Sequence, residues 1–286
     1  MSHSISPSIH RAAFAALGLP HTYEAWDLAG DAALEAAFQA LRRGDIEGAN
    51  VTAPHKQKSL ELSDSIASSA KGVGAANVLR REPVEKNRSE ALISAHNTDV
   101  DALAQEISIA SPVRFTALVL GAGGAALAAV VALKRLGFSA VGVTTRSFVS
   151  PAASSRTARF RELGAVPIAY PDASSERDFR AWIARTDLLV QATSAGTKSA
   201  ADPSSGEALA ALIPWELLRP SAIAFDLVYN PRMTPFLRRA EARGLTTVGG
   251  LGMLVRQAAL SIKLWTGITP PLNVLFAAAA AAEALA

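Results

Sequence analysis

An apolar run, Phe115–Leu120, passes directly into Gly121-Ala122-Gly123-Gly124-Ala125, and a second apolar stretch follows to Leu136. A strand, a tight glycine turn and a helix satisfy this pattern: the strand buries its whole length, and the glycines let the backbone reverse and stay bare. Backbone amides at such a turn, with the partial positive charge of the helix N-terminus, cradle phosphate. Gly121, Gly123, Gly124 and Ala125 are therefore candidate dinucleotide ligands, the flanking strand and helix being the context the motif requires. The stretch Thr116–Leu133 approaches the length of a membrane span, but glycines in its first half weaken a spanning helix, and we expect no membrane association.

The rest of the chain after Asp99 repeats the alternation. Residues 116–120 and 139–145, then Val166–Ala169, Leu188–Gln191, Ile223–Leu227 and Thr246–Val248, read as strands with helices between most of them. That order predicts a parallel, doubly wound sheet. The second strand runs into Thr144-Thr145-Arg146-Ser147. An acid there would select NAD; Arg146 favours the 2′-phosphate of NADP. Ser199–Gly206 reads as a surface loop, residues 251–265 as an amphipathic helix and Phe276–Ala286 as an alanine-rich one.

The first hundred residues have a different texture. Residues 8–18 and 31–43 read as helices closed by Gly18 and Gly44, and Thr22–Leu28 and Ile46–Val51 as strands. The segment from Pro54 turns helical, and Ala75–Arg81 with Glu90–His96 reads as a hairpin. Two strings stand out, Asn50-Val51-Thr52-Ala53-Pro54-His55-Lys56 and His96-Asn97-Thr98-Asp99, each delivering one ionisable group from small polar surroundings. Taken singly, Lys56 reads as a solvated lysine in an early helical turn and Asp99 as a helix cap. Ser4 and Ser6, beside a helix start, fit a carboxylate site or ordinary capping by Ser6 or Ser8.

Bulk properties exclude several classes. The 286 residues are half hydrophobic, which argues against disorder and suits two modest domains. The net charge of +3 is scattered, so no nucleic-acid partner is expected. The absence of cysteine removes disulfides, thiolate chemistry and cysteine-bound zinc, and fits a reducing, cytoplasmic setting; no metal site is expected. The N-terminus is polar and does not read as a signal peptide.

Taken together, the strings resemble the shikimate dehydrogenase family over nearly the whole chain. They are His3-Ser4-Ile5-Ser6-Pro7, the Asn50–Lys56 string, Gly74-Ala75-Ala76-Asn77, Asn97-Thr98-Asp99, the glycine turn, Ala192-Thr193-Ser194-Ala195-Gly196, Asp226-Leu227-Val228-Tyr229-Asn230-Pro231, and Gly250-Leu251-Gly252-Met253 through Ala258. The resemblance implies an α/β protein with a three-layer substrate-binding domain, residues 1–101 plus 250–286, and a Rossmann-like doubly wound NADP domain, residues 102–249. It implies that Ser4 and Ser6 bind the substrate carboxylate with Tyr229 nearby. Thr52, Asn77 and Gln257 would bond ring hydroxyls, and Lys56 and Asp99 would stand at the reacting oxygen. Thr193 and Ser194 would border the cofactor, and Gly250 and Met253 would line the nicotinamide side. The implied reaction is NADPH-linked reduction of 3-dehydroshikimate to shikimate by a monomer or homodimer. Quinate or NAD use, or a non-catalytic ring-acid sensor, are the alternatives.

Departures from the family pattern are local. The family opens with a strand ahead of the His-Ser-x-Ser-Pro string, where this chain has Met1 and Ser2. Leu127 and Ser150 stand where basic residues are common, Thr197 replaces a methionine, and Gln191 replaces an asparagine.

Overall fold

The computed structural model describes residues 4–111, 114–149, 153–170, 175–198 and 200–284; His3, Ser150 and Ser199 lie outside them. In chain order the elements are α1 (Ser6–Ala16), α2 (Gly30–Arg43), β1 (Gly48–Asn50), α3 (Lys56–Leu62), β2 (Ser65–Ile66), α4 (Ser68–Val73), β3 (Val78–Arg81), β4 (Ile93–His96), α5 (Asp99–Ala110), β5 (Thr116–Leu120), α6 (Gly124–Arg135), β6 (Ala140–Thr144), α7 (Ala153–Glu162), β7 (Val166–Ile168), α8 (Glu176–Arg185), β8 (Leu188–Gln191), α9 (Ser205–Leu212), β9 (Ile223–Asp226), α10 (Pro235–Ala242), β10 (Thr246–Val248), α11 (Leu251–Thr266) and α12 (Leu272–Ala284). Contacts divide the chain into two compact units, residues 1–102 with 254–286, and residues 103–253.

The first unit is built on a four-stranded sheet ordered β1-β3-β4-β2, antiparallel except for the β4–β2 pair. Leu34, Phe38 and Leu41 recur at helical spacing along α2 and pack on Leu79, Ile93 and Ala95. Strand alternation turns Gly48 and Asn50 to the opposite face, where α11 lies. There Trp265 covers Gly48 and donates to the Leu79 carbonyl at 3.0 Å, and Asn50 Nδ2 donates to Ser261 Oγ at 2.9 Å.

The second unit holds a six-stranded sheet ordered β10-β9-β8-β5-β6-β7, every pair parallel. This is the doubly wound order, which reverses between β5 and β8. On one face Leu118, Leu120, Leu189 and Ala224 meet Phe179 and Ile183 of α8 and Phe236 and Leu237 of α10. α6 is buried along most of its length, as an all-apolar helix requires.

Three local expectations are corrected. Thr22–Leu28 has strand-type residues but forms no ladder; side chains tie it instead, with Tyr23 Oη donating to Asn50 Oδ1 at 3.0 Å and the Leu28 carbonyl meeting His55 Nε2 at 3.1 Å. A strand needs a backbone neighbour, and composition does not supply one. Neither Ser6 nor Ser8 caps α1: Ile5 holds the cap position without a side-chain bond, and Ser4 Oγ accepts from the Ser6 amide at 3.4 Å. The Ser199–Gly206 loop is shorter than predicted, because Asp202 accepts from the Ser204 amide and its backbone carbonyl accepts from Ser205 Oγ, which turns the chain into α9.

Candidate active site

In the first unit, Lys56 opens α3 and Asp99 opens α5, and Lys56 Nζ lies 2.6 Å from Asp99 Oδ2. The side chains are 17% and 5% exposed, so the acid is buried and the amine keeps partial access. A buried carboxylate needs donors on both oxygens. Asn77 supplies the second, its Nδ2 donating to Asp99 Oδ1 at 2.8 Å. The amide orientation of Asn77 follows from its neighbours. The Thr98 backbone N–H can only donate and lies 2.7 Å from the atom that must be Oδ1. Both Asn77 N–H groups are then engaged, the other reaching Thr98 Oγ1 at 3.0 Å.

Asp99 is not the cap of its helix. Asn97 Oδ1 accepts from the amides of Asp99 and Val100, and Asn97 Nδ2 anchors on the Ala75 carbonyl at 2.9 Å. The capping task falls to Asn97, which leaves both oxygens of Asp99 for Lys56 and Asn77. The network continues through the Gln257 carbonyl, which accepts from Thr98 Oγ1 at 3.4 Å and Ser261 Oγ at 2.8 Å, and through Ser261 to Asn50 and Tyr23. Gln257 is buried, its own Nε2 on the Leu254 carbonyl. Thr52 is exposed in the turn before α3, where its carbonyl accepts from the His55 amide. Ser4 and Ser6 are half-buried at the start of α1.

One titratable group behind this network is unusual. His10 Nδ1 lies 2.9 Å from the Ser6 carbonyl and so bears the proton. Its ring stacks on Tyr23 at 3.9 Å, and its buried Nε2 has no partner in good hydrogen-bond geometry among the described residues, Asn50 being the nearby side chain. Burial lowers the imidazole to about 4 and also pushes the Tyr23 phenol up.

In the second unit, the glycine turn closes at the point where strand order reverses. Gly121 has φ +124°, and a Cβ there would lie 3.0 Å from the Ala192 carbonyl oxygen and from Thr193 Cγ2, so only glycine fits between β5 and β8. Gly123 is the N-cap of α6, with no side-chain cap and no atom within 4 Å of where a Cβ would stand. Orphan helix amides beside open space suit a phosphate. Leu127 is buried one turn on. Arg146 is exposed at the end of β6, close enough to Asp202 that its charge adds to the Ser204 hydrogen bonds lowering that carboxyl. Thr193 is held by Gln191, whose Oε1 accepts from its amide; Ser194 is exposed, Met253 is buried, and the Gly250 amide donates to the Val228 carbonyl at 3.1 Å. Tyr229 is half-buried on the loop after β9.

Hydrogen bonds thus join Lys56, Asp99, Asn77 and, through Thr98, the backbone carbonyl of Gln257 in one unit, while the glycine turn, Arg146, Thr193, Ser194, Tyr229, Gly250 and Met253 all belong to the other. Asn97, Thr98 and Ser261 were given no part by sequence reasoning. An Asn two residues ahead of a helix was a capping signal for the first of these. Among the described residues no helix is long and apolar enough to cross a membrane.

Two stretches of the chain match families of known proteins. Residues 1–79 match the shikimate dehydrogenase substrate binding domain, and residues 250–275 the shikimate 5'-dehydrogenase C-terminal domain. The shikimate dehydrogenase (NADP(+)) of Microcystis aeruginosa is 35% identical over 284 residues, covering 96% of this chain and 91% of that one. Shikimate 5-dehydrogenase from Thermus thermophilus, solved with NADP(H) and shikimate, superposes with a TM-score of 0.78 at 34% identity over 98% of this chain and 95% of that one. The Listeria monocytogenes enzyme, solved with shikimate and NAD, gives 0.80 at 28% identity over 96% and 91%.

Proposed function

The chain belongs to the shikimate dehydrogenase family, and we propose on that footing that it interconverts 3-dehydroshikimate and shikimate with NADP(H). The observation that carries the proposal is the 2.6 Å pair of Lys56 and Asp99, a cation with partial access held by a buried acid. When bound, the nicotinamide supplies or accepts the hydride. Lys56 donates a proton to the carbonyl oxygen as negative charge builds on it, and takes that proton back in the reverse direction. Asp99 keeps the amine aimed, and Asn77 keeps Asp99 in place. Atoms balance: the ketone gains a hydride and a proton and becomes the secondary alcohol.

The remaining roles follow the family. Ser4 and Ser6 hold the ring carboxylate with Tyr229, and Thr52, Asn77 and Gln257 meet the ring hydroxyls. Since the Asn77 N–H groups are engaged, a ring hydroxyl meeting Asn77 donates to its Oδ1. Gly121, Gly123, Gly124 and Ala125 hold the pyrophosphate, Arg146 the 2′-phosphate, Thr193 and Ser194 the cofactor's edge, and Gly250 and Met253 the nicotinamide side. The first unit is the substrate unit and the second the cofactor unit. The same reading puts a monomer or homodimer in the cytoplasm with small molecules as partners, and size-exclusion chromatography checks the assembly.

Steady-state rates with shikimate and quinate, each with NADP⁺ and NAD⁺, test the proposal. It predicts the highest kcat/KM for shikimate with NADP⁺. Higher efficiency on quinate or with NAD⁺ would reassign the substrate or cofactor, and binding without turnover would make the chain a sensor.

A further inference from the structure

Two fully buried polar side chains stand at the ends of neighbouring strands in the second unit. Gln191 closes β8, Asp226 closes β9, and the two are register partners. Each grips the loop that follows it. Gln191 Nε2 donates to the Ala195 carbonyl at 3.0 Å, and its Oε1 accepts from the Thr193 amide. Asp226 Oδ1 accepts from the Val228 amide at 2.9 Å, and its Oδ2 accepts from Thr234 Oγ1 at 2.6 Å. We propose that Asp226 is a positioning residue for the reaction, fixing through Val228 and Thr234 the loop that presents Tyr229 and the backbone on which Gly250 rests. This rests on the dehydrogenase reading above.

The partners suit an acid at residue 226. An amide N–H only donates. The Thr234 hydroxyl accepts from the Leu237 amide at 3.2 Å as the cap of α10 and donates its proton to Asp226 Oδ2. In the ionised form both oxygens of residue 226 accept; an asparagine would keep the Val228 bond but aim an N–H at Thr234 Oγ1, and the proton of that buried hydroxyl would lose its acceptor. Burial pushes Asp226 up to about 7 against the pull of those two donors.

The loop so held is a junction. The Leu227 amide donates to the Gln191 carbonyl, the Lys198 amide to the Asn230 carbonyl, and the Gly250 amide to the Val228 carbonyl. A Cβ on residue 250 would come within 2.2 Å of the Leu227 oxygen. Residues 227–228 thus set where Gly250 can lie, and Lys198 carries the link back to the Thr193–Ser194 loop. The glycine turn of α6, which takes the pyrophosphate in that reading, is not held by Asp226, so NADP⁺ affinity falls less than turnover when Asp226 is changed.

The test compares Asp226→Asn, Thr234→Val and Thr234→Ser with wild type. Asp226→Asn and Thr234→Val are expected to lower kcat/KM for shikimate about tenfold or more while NADP⁺ binding by calorimetry changes less than about twofold, because small displacements at a distance cost catalysis more than binding. Thr234→Ser, which keeps the hydroxyl, restores the wild-type rate. Amide exchange at residues 228–230 speeds up in the first two variants and not in the third. If Asp226→Asn does not fold, the Thr234 pair carries the test. Unchanged exchange and rates in Asp226→Asn or Thr234→Val overturn the proposal, as does NADP⁺ affinity falling in step with the rate. A wild type that fails to oxidise shikimate sinks the dehydrogenase reading, and the exchange data then still decide whether Asp226 holds the loop.

Discussion

The two units hold their chemistry by different means. In the first, side chains hold side chains: Lys56 on Asp99, Asp99 on Asn77, Asn77 on Thr98, with Asn97 as the helix cap that frees Asp99. In the second, backbone does most of the holding. Gly121 wedges between β5 and β8, bare amides open α6, and the Gly250 amide leans on the Val228 carbonyl. A site made of coupled side chains can be dismantled by single polar substitutions and shows strong coupling. A site held largely by backbone fails where a Cβ is added in a close approach, as at Gly121, and is sensitive to polar change chiefly where a buried side chain such as Asp226 grips a loop.

Coupling in the first unit gives the largest expected effect. Asp99→Asn and Lys56→Ala should each lower kcat by about 10²–10⁴-fold, the range for a positioned proton donor. The double variant should be little worse than either single one, because the residues act as a unit. Multiplying losses in steady-state kinetics would show two independent roles.

Next in size is a difference in pH response. The His10 imidazole is lowered from 6.5 to about 4, so the unfolded chain takes the proton first. Stability present above pH 6.5 is lost as pH falls toward 4, on the order of 3 kcal/mol in full. Asp226 has the opposite sign, raised from 3.8 to about 7. There the folded state holds the proton longer, so stability present below pH 4 is lost as pH rises toward 7. Urea midpoints across this range should lose the first slope in His10→Gln and the second in Asp226→Asn; identical slopes in all three proteins would refute both assignments.

Smaller again is Asn77→Ala. It strips one donor from buried Asp99 and the acceptor from the Thr98 amide, at a cost of roughly 1–3 kcal/mol in unfolding free energy. A shift below about 0.5 kcal/mol would mean another group takes over. Arg146→Asp should move the NADP⁺-to-NAD⁺ ratio of kcat/KM about tenfold toward NAD⁺ with thermal stability unchanged, since Arg146 is exposed. An unmoved ratio would take Arg146 out of cofactor selection.

The same contrast explains what could be read in advance. The glycine turn was legible because its requirement is local: a strand, a bend without Cβ atoms, a helix. The six parallel strands of the second unit followed from alternation. The Lys56–Asp99 pair joins residues far apart in the chain, and only the resemblance of the whole set of strings brought them together. Thr22–Leu28 misled because strand composition says nothing of whether a partner is in reach. Asp226 was overlooked although an acid closing the apolar strand Ile223–Asp226 is itself a signal, since such a charge must meet donors at the strand's end.

The most direct measurement is NADPH formation from saturating shikimate and NADP⁺ by wild type and Lys56→Ala, with shikimate binding to both followed by calorimetry. Wild type is expected to turn over, and the variant to bind shikimate with similar affinity yet turn over at least about a hundredfold more slowly. Equal rates in the two proteins would contradict the role of Lys56.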